Sequence, residues 1–551
     1  MLRSLIAFAM AVVSLGADAA DSTSLLPPRV EKAITARIAA DEYPSMIVAV
    51  VDGDRSHVYG FGKLDNGKTP DADTLYQIGS ITKTFTATLL ADAVQRAEVK
   101  LDTPVAKLLP GFRIPSRNGK AITLGELAMQ DSGLPRLPSN MLRATSPDPY
   151  AEYDAAKLKA FLAGYKLPRD PGSKYEYSNL GLGLLGYALA QHAGTSYGKL
   201  LQSRILGPLG MSATSASFGQ PLDPRWAPGH DERGKPVQPW HFDALAGCGA
   251  INSTGADMLR YVQANMGRGE NALQKAMQFA HQPRRPIGGD ERIGLAWMTR
   301  HDKQVDVTWH SGMTGGYAGF IGFTDNGKRG VVILTNIQQS VDDLGFATLL
   351  ADAPLAAAQT QIALSPQQLQ EYVGEYQLAP GFILTIMRQG DQLLAQATGQ
   401  GAFPIFPGAT DRFFAKITDI RIDFERSDNG KVRSLVLHQN GHDAPAPKLD
   451  AAAAATVGGH HAVQLDAAIL RQYVGRYRLA PGVIFDITLH GSQLTAQLTG
   501  QPALPVYPSA KDAFYYTVVD AKLSFRRDKL GKVDALVLHQ NGADQTAQRI
   551  P

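Results

Sequence analysis

Cysteine is nearly absent from this sequence of 551 residues. Its single thiol, Cys248, excludes an internal disulfide, and the small residues around it favour packing over a role as nucleophile. No CxxC or HExxH motif is present, and His460 and His461 follow an alanine run that is typical of a linker. We therefore expect this protein to use neither a metal nor a cofactor.

Clusters of one charge are also absent. The formal net charge is only +3 and no Lys/Arg run occurs, which disfavours nucleic acid and anionic membrane surfaces as partners. The hydrophobic fraction of 44% is typical of globular proteins. The length predicts about three or four domains. We expect a small-molecule or peptide substrate, and the composition leaves the oligomeric state open.

Apolar runs long enough to span a membrane are missing, but a short one lies at the start. Arg3 precedes an apolar stretch at residues 5–13, and Ala17-Asp18-Ala19 then offers the small-x-small pattern that a signal peptidase cuts after. We interpret residues 1–19 as a signal peptide. The mature protein is then expected to begin near Ala20, to be periplasmic or secreted, and to carry no integral membrane segment.

The second half of the sequence contains an internal repeat. Residues 371–381 return as 472–482, and residues 437–441 return as 538–542, always 101 positions later. Each copy alternates apolar and polar residues in short runs separated by turns, which predicts β-strands. We predict two all-β barrels at residues 364–449 and 463–551, joined by a linker at 450–462. The repeated tyrosines and histidines are interpreted as structural.

The first part, residues 25–352, has a different pattern. Strands are predicted at residues 46–51 and 58–61, long helical patterns follow, and strands return at 305–310, 317–323 and 331–335. Strands at both ends with helices between them favour one antiparallel sheet that both ends of the domain complete and that helices cover. The predicted fold class of this domain is α/β.

A candidate nucleophile opens the first long helix of that domain. Ser80-Ile81-Thr82-Lys83 follows Gly79, and residues three apart on a helix share a face, so Lys83 can hold its amine beside the Ser80 hydroxyl. A serine hydroxyl is a poor nucleophile until a base removes its proton. The free N–H groups at the helix start add positive potential there.

Two further motifs follow in order along the chain. Tyr177-Ser178-Asn179 precedes a predicted helix, and His310-Ser311-Gly312-Met313 ends a predicted strand. Each motif is weak alone, since an S-x-x-K pattern recurs at Ser196 in a predicted exposed turn. An H-x-G pattern likewise recurs at residues 192–194, at a predicted helix end. The three motifs gain their meaning from their combination and order.

This ordered set resembles the serine β-lactamase and penicillin-binding-protein superfamily, and most closely its class C branch. The resemblance implies that Ser80 is acylated and that Lys83 and Tyr177 transfer its proton. It also implies that Asn179 orients Lys83 and the substrate carbonyl. The N–H groups of Ser80 and Met313 would form the oxyanion hole, and His310 and Gly312 would line the strand edge that binds substrate.

Two short motifs depart from the superfamily's usual pattern. His310 stands where many members have a lysine that attracts a substrate carboxylate, and Gln130-Asp131 replaces a common His-Thr pair. The domain order is similar to that of D-aminopeptidases, in which two eight-stranded antiparallel barrels follow the catalytic domain and a barrel loop reaches the active site.

The expected function is amide hydrolysis of small or linear peptides by a serine hydrolase, aminopeptidase-like or penicillin-binding-protein-like. An esterase or a class C-type β-lactamase would use the same site. A catalytically silent binding protein of the same fold is the alternative from another class. The motifs leave open the stereochemistry of the substrate, the end of the peptide that is cut and the role of the barrels.

Overall fold

The protein is described by a computed structural model. The model describes residues 24–551 except 142–147, 220–221, 268–270, 304, 399, 401, 418–419, 440–441, 451–452, 454–462, 464, 491–492, 500, 502, 517–520 and 541–542. The predicted signal peptide therefore lies outside the described residues. The same holds for most of the predicted linker, including His460 and His461.

Ten helices lie in the first domain, among the residues described there. In chain order they are α1 Pro28–Ala39, α2 Thr82–Gln95, α3 Leu124–Ala128, α4 Ala155–Gly164, α5 Asn179–His192, α6 Tyr197–Leu201, α7 Gly207–Leu209, α8 Gly255–Met266, α9 Ala272–His281 and α10 Asp342–Leu349. Several begin at a side-chain cap, because a serine, threonine or aspartate oxygen satisfies a free N–H group of the first turn. Ser178 caps α5 in this way by accepting from Gly181 N.

The strands of this domain are mostly concentrated at its two ends. They are β1 Ser45–Asp52, β2 Arg55–Gly62, β3 Leu75–Gln77, β4 Ser116–Arg117, β5 Lys120–Ala121, β6 Gly229–His230, β7 Pro236–Val237, β8 Asn252–Thr254, β9 Arg285–Gly288, β10 Glu291–Ile293, β11 Met298–Asp302, β12 Val305–Met313, β13 Ala318–Thr324 and β14 Arg329–Thr335. Six of these strands, β3 to β8, form only two-stranded sheets.

The main sheet has eight strands in the order β2-β1-β14-β13-β12-β11-β10-β9, with every pair antiparallel. The pairing of β1 with β14 joins the beginning and the end of the domain, with Met46 opposite Thr335. The predicted α/β class and the predicted sheet are therefore confirmed. Separate apolar clusters pack on its two faces: α1 and α10 cover one face, and α2 and α8 cover the other.

Strand β12 has a neighbouring strand on both sides along only part of its length. Its pairing with β11 extends only as far as Trp309, opposite Met298, whereas its pairing with β13 continues to Met313. The segment from His310 to Met313 therefore has a ladder neighbour on one side only. An open edge remains beside the predicted motif, where another backbone can approach.

Two eight-stranded antiparallel units follow, each preceded by a short helix. The first contains α11 Pro366–Tyr372, β15 Gly374–Ala379, β16 Phe382–Gln389, β17 Gln392–Ala397, β18 Phe403–Ala409, β19 Arg412–Ala415, β20 Ile420–Arg426, β21 Val432–Gln439 and β22 His442–Pro447. The second contains α12 Ala467–Leu470, β23 Gly475–Ala480, β24 Val483–His490, β25 Gln493–Leu498, β26 Leu504–Ala510, β27 Ala513–Tyr515, β28 Ala521–Arg527, β29 Val533–Gln540 and β30 Ala543–Ile550.

The two units close differently. In the second, β23 pairs with β30 and the barrel is closed. In the first, the two end strands meet through a single bridge between Tyr376 and Lys448. The predicted pair of β-barrels is confirmed. The repeated tyrosines are buried in the barrel cores, and in each copy the second hydroxyl donates to the main-chain carbonyl of the first, as from Tyr376 to Tyr372.

No helix among the described residues has the length and apolar character needed to cross a bilayer.

Candidate active site

Ser80 lies in a 3₁₀ turn, Gly79–Ile81, that leads directly into α2. The sequence predicted that the Ser80 motif opens a long helix, and the structure places Ser80 in the tight turn just before that helix begins at Thr82. Lys83 lies in the first turn of α2, is completely buried, and its Nζ lies 2.8 Å from Ser80 Oγ. A second hydrogen bond, 2.8 Å long, runs from Lys83 Nζ to the main-chain oxygen of Cys248. The serine and the lysine are therefore held within proton-transfer distance.

Two glycines allow the Ser80 turn to approach strand β12 backbone to backbone. A Cβ atom on Gly312 would lie 2.0 Å from the Ile78 oxygen, and one on Gly79 would lie 2.5 Å from the Met313 nitrogen. Gly79 also has φ +52°, in the left-handed region that favours glycine. The main chain just before Ser80 thus lies against Met313, whose N–H group is the second predicted oxyanion donor.

Tyr177 completes the centre from a loop just before α5. The Lys83 Nζ lies 4.9 Å from the centroid of the Tyr177 ring, and the guanidinium of Arg136 lies 5.0 Å from the same centroid. The rings of Tyr177 and His310 are 6.4 Å apart, centroid to centroid. Three of the predicted motifs therefore converge on one place, although they are far apart in the sequence.

Asn179 occupies the first position of α5, and its contacts differ from the role implied by the resemblance. Its Nδ2 donates to the hydroxyl of Tyr150 at 2.8 Å, and no hydrogen bond between Asn179 and Lys83 is present among the described residues. Its Oδ1 is buried and has no hydrogen-bond partner in this part of the chain. The amide is held in place by Tyr150, and a carbonyl oxygen is left available for a donor on a substrate.

Burial determines the charge of two other groups beside Lys83. Burial, aided by the charge of Lys83, lowers the pKa of His310 to about 3, so its imidazole is neutral near pH 7. Its Nδ1 faces the Ser311 oxygen and its Nε2 has no partner among the described residues. Burial raises the pKa of the Cys248 thiol to about 11, which keeps it protonated and unsuited to nucleophilic attack.

Three residues that shape this site were not predicted from the sequence to belong to it. Arg136 contacts the Tyr177 ring, Tyr150 holds Asn179, and Gln130 accepts a 2.7 Å hydrogen bond from Ser178 N. Gln130 had been noted only as a departure from the superfamily pattern. The second S-x-x-K pattern is unlike the first, because Ser196 is an exposed helix cap that accepts from the main-chain nitrogen of Lys199.

A comparison with known families identifies this arrangement. A family model described as Beta-lactamase matches residues 30–354. The chain belongs to the beta-lactamase family. Another family model, described as a domain of unknown function (DUF3471), matches twice, at residues 358–451 and 460–549. The superfamily resemblance predicted from the motifs is confirmed.

Several members of the family are similar over most of their own length. A beta-lactamase of Escherichia coli (strain K12) is 28% identical over 345 residues, covering 56% of this chain and 88% of that protein. Penicillin-binding protein 4* of Bacillus subtilis (strain 168) is 21% identical over 447 residues, covering 74% of this chain and 95% of that protein.

The comparisons also include named peptidases. The D-alanyl-D-alanine-carboxypeptidase/endopeptidase AmpH of Escherichia coli (strain K12) is 29% identical over 327 residues, covering 54% of this chain and 83% of that protein. A solved class C beta-lactamase superposes with a TM-score of 0.51 at 23% identity, covering 60% of this chain and 97% of that structure, which shows the same fold. By their names the beta-lactamase and the carboxypeptidase/endopeptidase of Escherichia coli are hydrolases, which supports a serine hydrolase here.

Proposed function

We propose that this protein is a serine hydrolase that cleaves amide bonds of small or linear peptides through an acyl-enzyme on Ser80. The observation that carries the proposal is the 2.8 Å contact between Lys83 Nζ and Ser80 Oγ. A serine becomes a nucleophile when a base lies within hydrogen-bond reach, and the amine of Lys83 is placed to accept the Ser80 proton. The Cys248 thiol is protonated and is therefore no competing nucleophile. His310 is a weak competing base because its pKa is about 3.

Acylation follows from these positions. Ser80 Oγ attacks the carbonyl carbon of the substrate, its proton passes to Lys83 Nζ, and the electron pair of the C=O bond moves to oxygen. The N–H groups of Ser80 and Met313 then donate to this oxyanion. Donors of this kind each contribute about 3 kcal/mol to transition-state stabilisation when they are fixed in advance.

Release of the amine and of the acid completes the reaction. The C–N bond breaks, the departing nitrogen takes the proton of the Tyr177 hydroxyl, and Lys83 returns a proton to Tyr177. Water then attacks the acyl ester, with the Lys83–Tyr177 pair accepting its proton. The bond between the acyl carbon and Ser80 Oγ breaks, and the same pair returns that proton to Ser80 Oγ. The products are the carboxylic acid and regenerated Ser80, so every proton is accounted for without an added co-reactant.

Peptides are the proposed substrates for two reasons. Among the relatives are a penicillin-binding protein and a D-alanyl-D-alanine-carboxypeptidase/endopeptidase. A catalytic domain followed by two barrels is also the domain order of D-aminopeptidases. An esterase or a class C-type β-lactamase would use the same atoms of Ser80 and Lys83, so substrate tests must distinguish these activities.

The first test compares the wild-type protein with Ser80→Ala and with Ser196→Ala, which removes the exposed serine of the second S-x-x-K pattern. The peptide panel has D- or L-residues at the N-terminus, free or acetylated, and includes a D-Ala-D-Ala C-terminus, with products read by mass spectrometry. Cleavage that Ser80→Ala abolishes and Ser196→Ala leaves unchanged is expected. If no peptide is cut while esters or β-lactams are, the peptidase proposal is wrong.

Covalent labelling separates an enzyme from a silent binding protein. A fluorophosphonate is expected to modify Ser80 in the wild-type protein and in Ser196→Ala, with the adduct mapped by mass spectrometry. An unlabelled Ser80 at every reagent concentration would instead favour the binding protein.

We also propose that the protein acts in the periplasm or outside the cell after removal of residues 1–19. This proposal rests on the charge, apolar stretch and Ala17-Asp18-Ala19 pattern of the sequence. N-terminal sequencing of the exported protein is expected to begin at Ala20, and a protein that keeps Met1 inside the cell would contradict it.

A further inference from the structure

The outer face of the second barrel carries a serine, a histidine and an aspartate in hydrogen-bond contact. Ser524 lies on β28, His539 on β29 and Asp544 on β30. The Ser524 Oγ lies 2.7 Å from His539 Nε2, and the Nδ1 atom of the same ring lies 2.7 Å from Asp544 Oδ1. A hydroxyl, an imidazole and a carboxylate joined in this order form an arrangement that activates a serine nucleophile on unrelated folds.

The strands hold these three side chains on one face. Alternate residues of β28 and β29, among them Leu523 and Leu538, belong to the barrel core, so Ser524 and His539 point outward. His539 lies directly opposite Asp544, and Ser524 is its diagonal neighbour on β28. The arrangement therefore follows from the register of three paired strands.

The aspartate determines which ring nitrogen of His539 carries the proton. An ionised carboxylate only accepts hydrogen bonds, so His539 Nδ1 donates to Asp544. In the neutral ring the other nitrogen, Nε2, is then the acceptor, and it is the atom that contacts the Ser524 hydroxyl. His539 is thus oriented as a general base toward Ser524.

The first barrel has a different group at the position of the serine. At the positions 101 residues earlier, Asp423 replaces Ser524, whereas His438 and Asp443 match the histidine and the aspartate. There the imidazole lies between two carboxylates, with Nδ1 2.6 Å from Asp443 and Nε2 3.5 Å from Asp423. The first copy therefore offers no hydroxyl for its histidine to activate at this position, and the chain itself supplies a matched comparison.

An exposed cation lies beside the serine. Lys522 precedes Ser524 by two residues on the same face of β28 and is directly opposite His539. The main chain of β28 is paired with β27 and β29 at Ser524, so a side chain has to donate to an oxyanion there. The side chains of His539 and Asp544 are 36% and 73% exposed, so small molecules can approach the serine directly.

We propose that the second barrel carries a second, esterolytic site in which Ser524 is the nucleophile and His539 is the general base. Its substrates are small esters with good leaving groups, because one exposed cation stabilises an oxyanion less than the two main-chain donors proposed at Ser80. His539 is then a catalytic residue, in contrast to the structural role that repetition alone suggested.

The reaction needs no co-reactant other than water. Ser524 Oγ attacks the acyl carbon of the ester, its proton passes to His539 Nε2, and the electron pair of the C=O bond moves to oxygen. The C–O bond to the leaving group breaks, and the departing alcohol takes the proton from Nε2. Water then attacks the acyl-serine and gives its proton to Nε2, the bond to Oγ breaks, and Oγ takes that proton as the carboxylic acid leaves.

The test uses full-length Ser80→Ala protein as the parent, so that the first site makes no contribution. Ser524→Ala, His539→Gln and the combination of both are introduced into this parent. Hydrolysis of p-nitrophenyl acetate is followed at neutral pH, and the residues that carry an acetyl group or a fluorophosphonate adduct are mapped by mass spectrometry. Circular dichroism compares the folding of all variants.

Two control variants come from the first barrel. Ser434→Ala removes a half-buried strand serine whose hydroxyl donates to Glu425 rather than to a histidine. His438→Gln removes the histidine that matches His539 in the first copy. Both are introduced into the same Ser80→Ala parent.

Ser524→Ala and His539→Gln are each expected to lower the rate of ester hydrolysis about tenfold or more, since a general base contributes about 10²- to 10⁴-fold. The combination is expected to be no slower than either variant alone, because both residues act in one step. The acetyl group and the fluorophosphonate adduct are expected on Ser524 in the parent and in both first-barrel controls.

Three results would overturn the proposal. They are ester hydrolysis at the parental rate in Ser524→Ala, a parental rate of Ser524 labelling in His539→Gln, and an equal loss of rate in the first-barrel controls, which would indicate general surface reactivity. Because every protein in the series carries Ser80→Ala, the outcome is independent of whether Ser80 cleaves peptides.

Discussion

At the residue scale, Gln130 binds the two residues that come before and after Tyr177 in the chain. Its Oε1 accepts from Ser178 N at 2.7 Å, and its main-chain oxygen accepts from Glu176 N at 2.8 Å. These two donors flank Tyr177 in the chain. Gln130 itself adopts φ +58°, a conformation uncommon for a residue with a side chain. The departure from the superfamily pattern at this position thus has a structural role, which is to position the Tyr177 loop.

Gln130→Ala is expected to lower kcat about tenfold with a smaller change in KM. The substitution leaves the buried N–H group of Ser178 without its acceptor, which costs about 1–3 kcal/mol and loosens Tyr177. Gln130→Glu keeps an acceptor oxygen and is expected to recover most of the activity. The measurement is the separate determination of kcat and KM for all three proteins. An equal thermal destabilisation in both variants with unchanged kcat would show that Gln130 acts on stability alone.

Burial of histidine gives a second prediction at this scale. His281 is enclosed by Trp297 and Phe323, its Nε2 contacts Asn265 Oδ1, and burial lowers its pKa to about 3. The His281 imidazole takes up a proton near pH 6.5 in the unfolded chain but only near pH 3 in the folded chain. The free energy of unfolding is therefore undiminished above pH 6.5 and falls as the pH is lowered from 6.5 toward 3. His281 alone accounts for about 2 kcal/mol of the loss between pH 7 and pH 5.

The pH dependence of stability is expected to be weaker in His281→Gln. Thermal unfolding of the catalytic domain at pH 7 and pH 5 measures the difference, and the variant should lose less stability than the wild type. His192→Gln, at the exposed end of α5, is the matched control and should keep the wild-type dependence. An unchanged dependence in His281→Gln would mean that the imidazole is not kept neutral in the folded state.

At the element scale, the junction of the Ser80 turn with β12 requires the absence of side chains. Gly312→Ala would place a Cβ atom 2.0 Å from the Ile78 oxygen, a main-chain atom that can move only if the strand and the turn separate. Separation would displace the Met313 N–H group from its position opposite Ser80. Loss of an oxyanion donor typically costs about 10²- to 10³-fold in rate.

Gly312→Ala is therefore expected to slow fluorophosphonate labelling of Ser80 by about 100-fold or more. Gly164→Ala, at the end of α4, is the control because a Cβ atom there meets nothing within 4 Å. Labelling rates are read by mass spectrometry and folding by circular dichroism. Wild-type labelling in a folded Gly312→Ala protein would refute the close-contact argument.

Sequence patterns predicted those parts of the molecule that depend on local spacing. The alternation in the barrels, the strands of the catalytic domain and the Ser80–Lys83 spacing all follow from the repeat of a strand or a helix. Gln130, Arg136 and Tyr150 lie in connecting segments, and their contacts with the Tyr177 loop join positions that no periodicity relates. The bending of the chain at Gly79 likewise depends on β12, which is more than two hundred residues away.

At the scale of the whole molecule, a buried ion pair fastens the connection to the first barrel. Arg37 on α1 pairs with Asp343 on α10 and donates to the Ala356 oxygen at 2.7 Å, in the segment that leads to the barrel. Ser340 N also donates to the Lys416 oxygen of the barrel at 2.7 Å. The two barrels are joined in turn by a hydrogen bond from the Tyr507 hydroxyl to Glu375.

Arg37→Met is expected to destabilise the catalytic domain by about 3–5 kcal/mol, because Asp343 is left as a partly buried charge without its partner. The double variant Arg37→Met/Asp343→Leu removes both charges and should recover most of that loss. Thermal unfolding of the full chain measures both. Equal stability of the single and double variants would show that the loss in Arg37→Met does not come from an unpaired Asp343 charge.

The pairing of β1 with β14 also determines when the chain can fold. Each barrel strand mostly pairs with the next one in sequence, whereas the catalytic sheet needs Met46 beside Thr335. Contacts between distant positions form slowly, because a long loop must close before any of them is gained. On dilution from denaturant, barrel structure should therefore return before enzymatic activity. In the cell, the first domain to be synthesised would be the last to fold, with its sheet open until residue 335 has emerged.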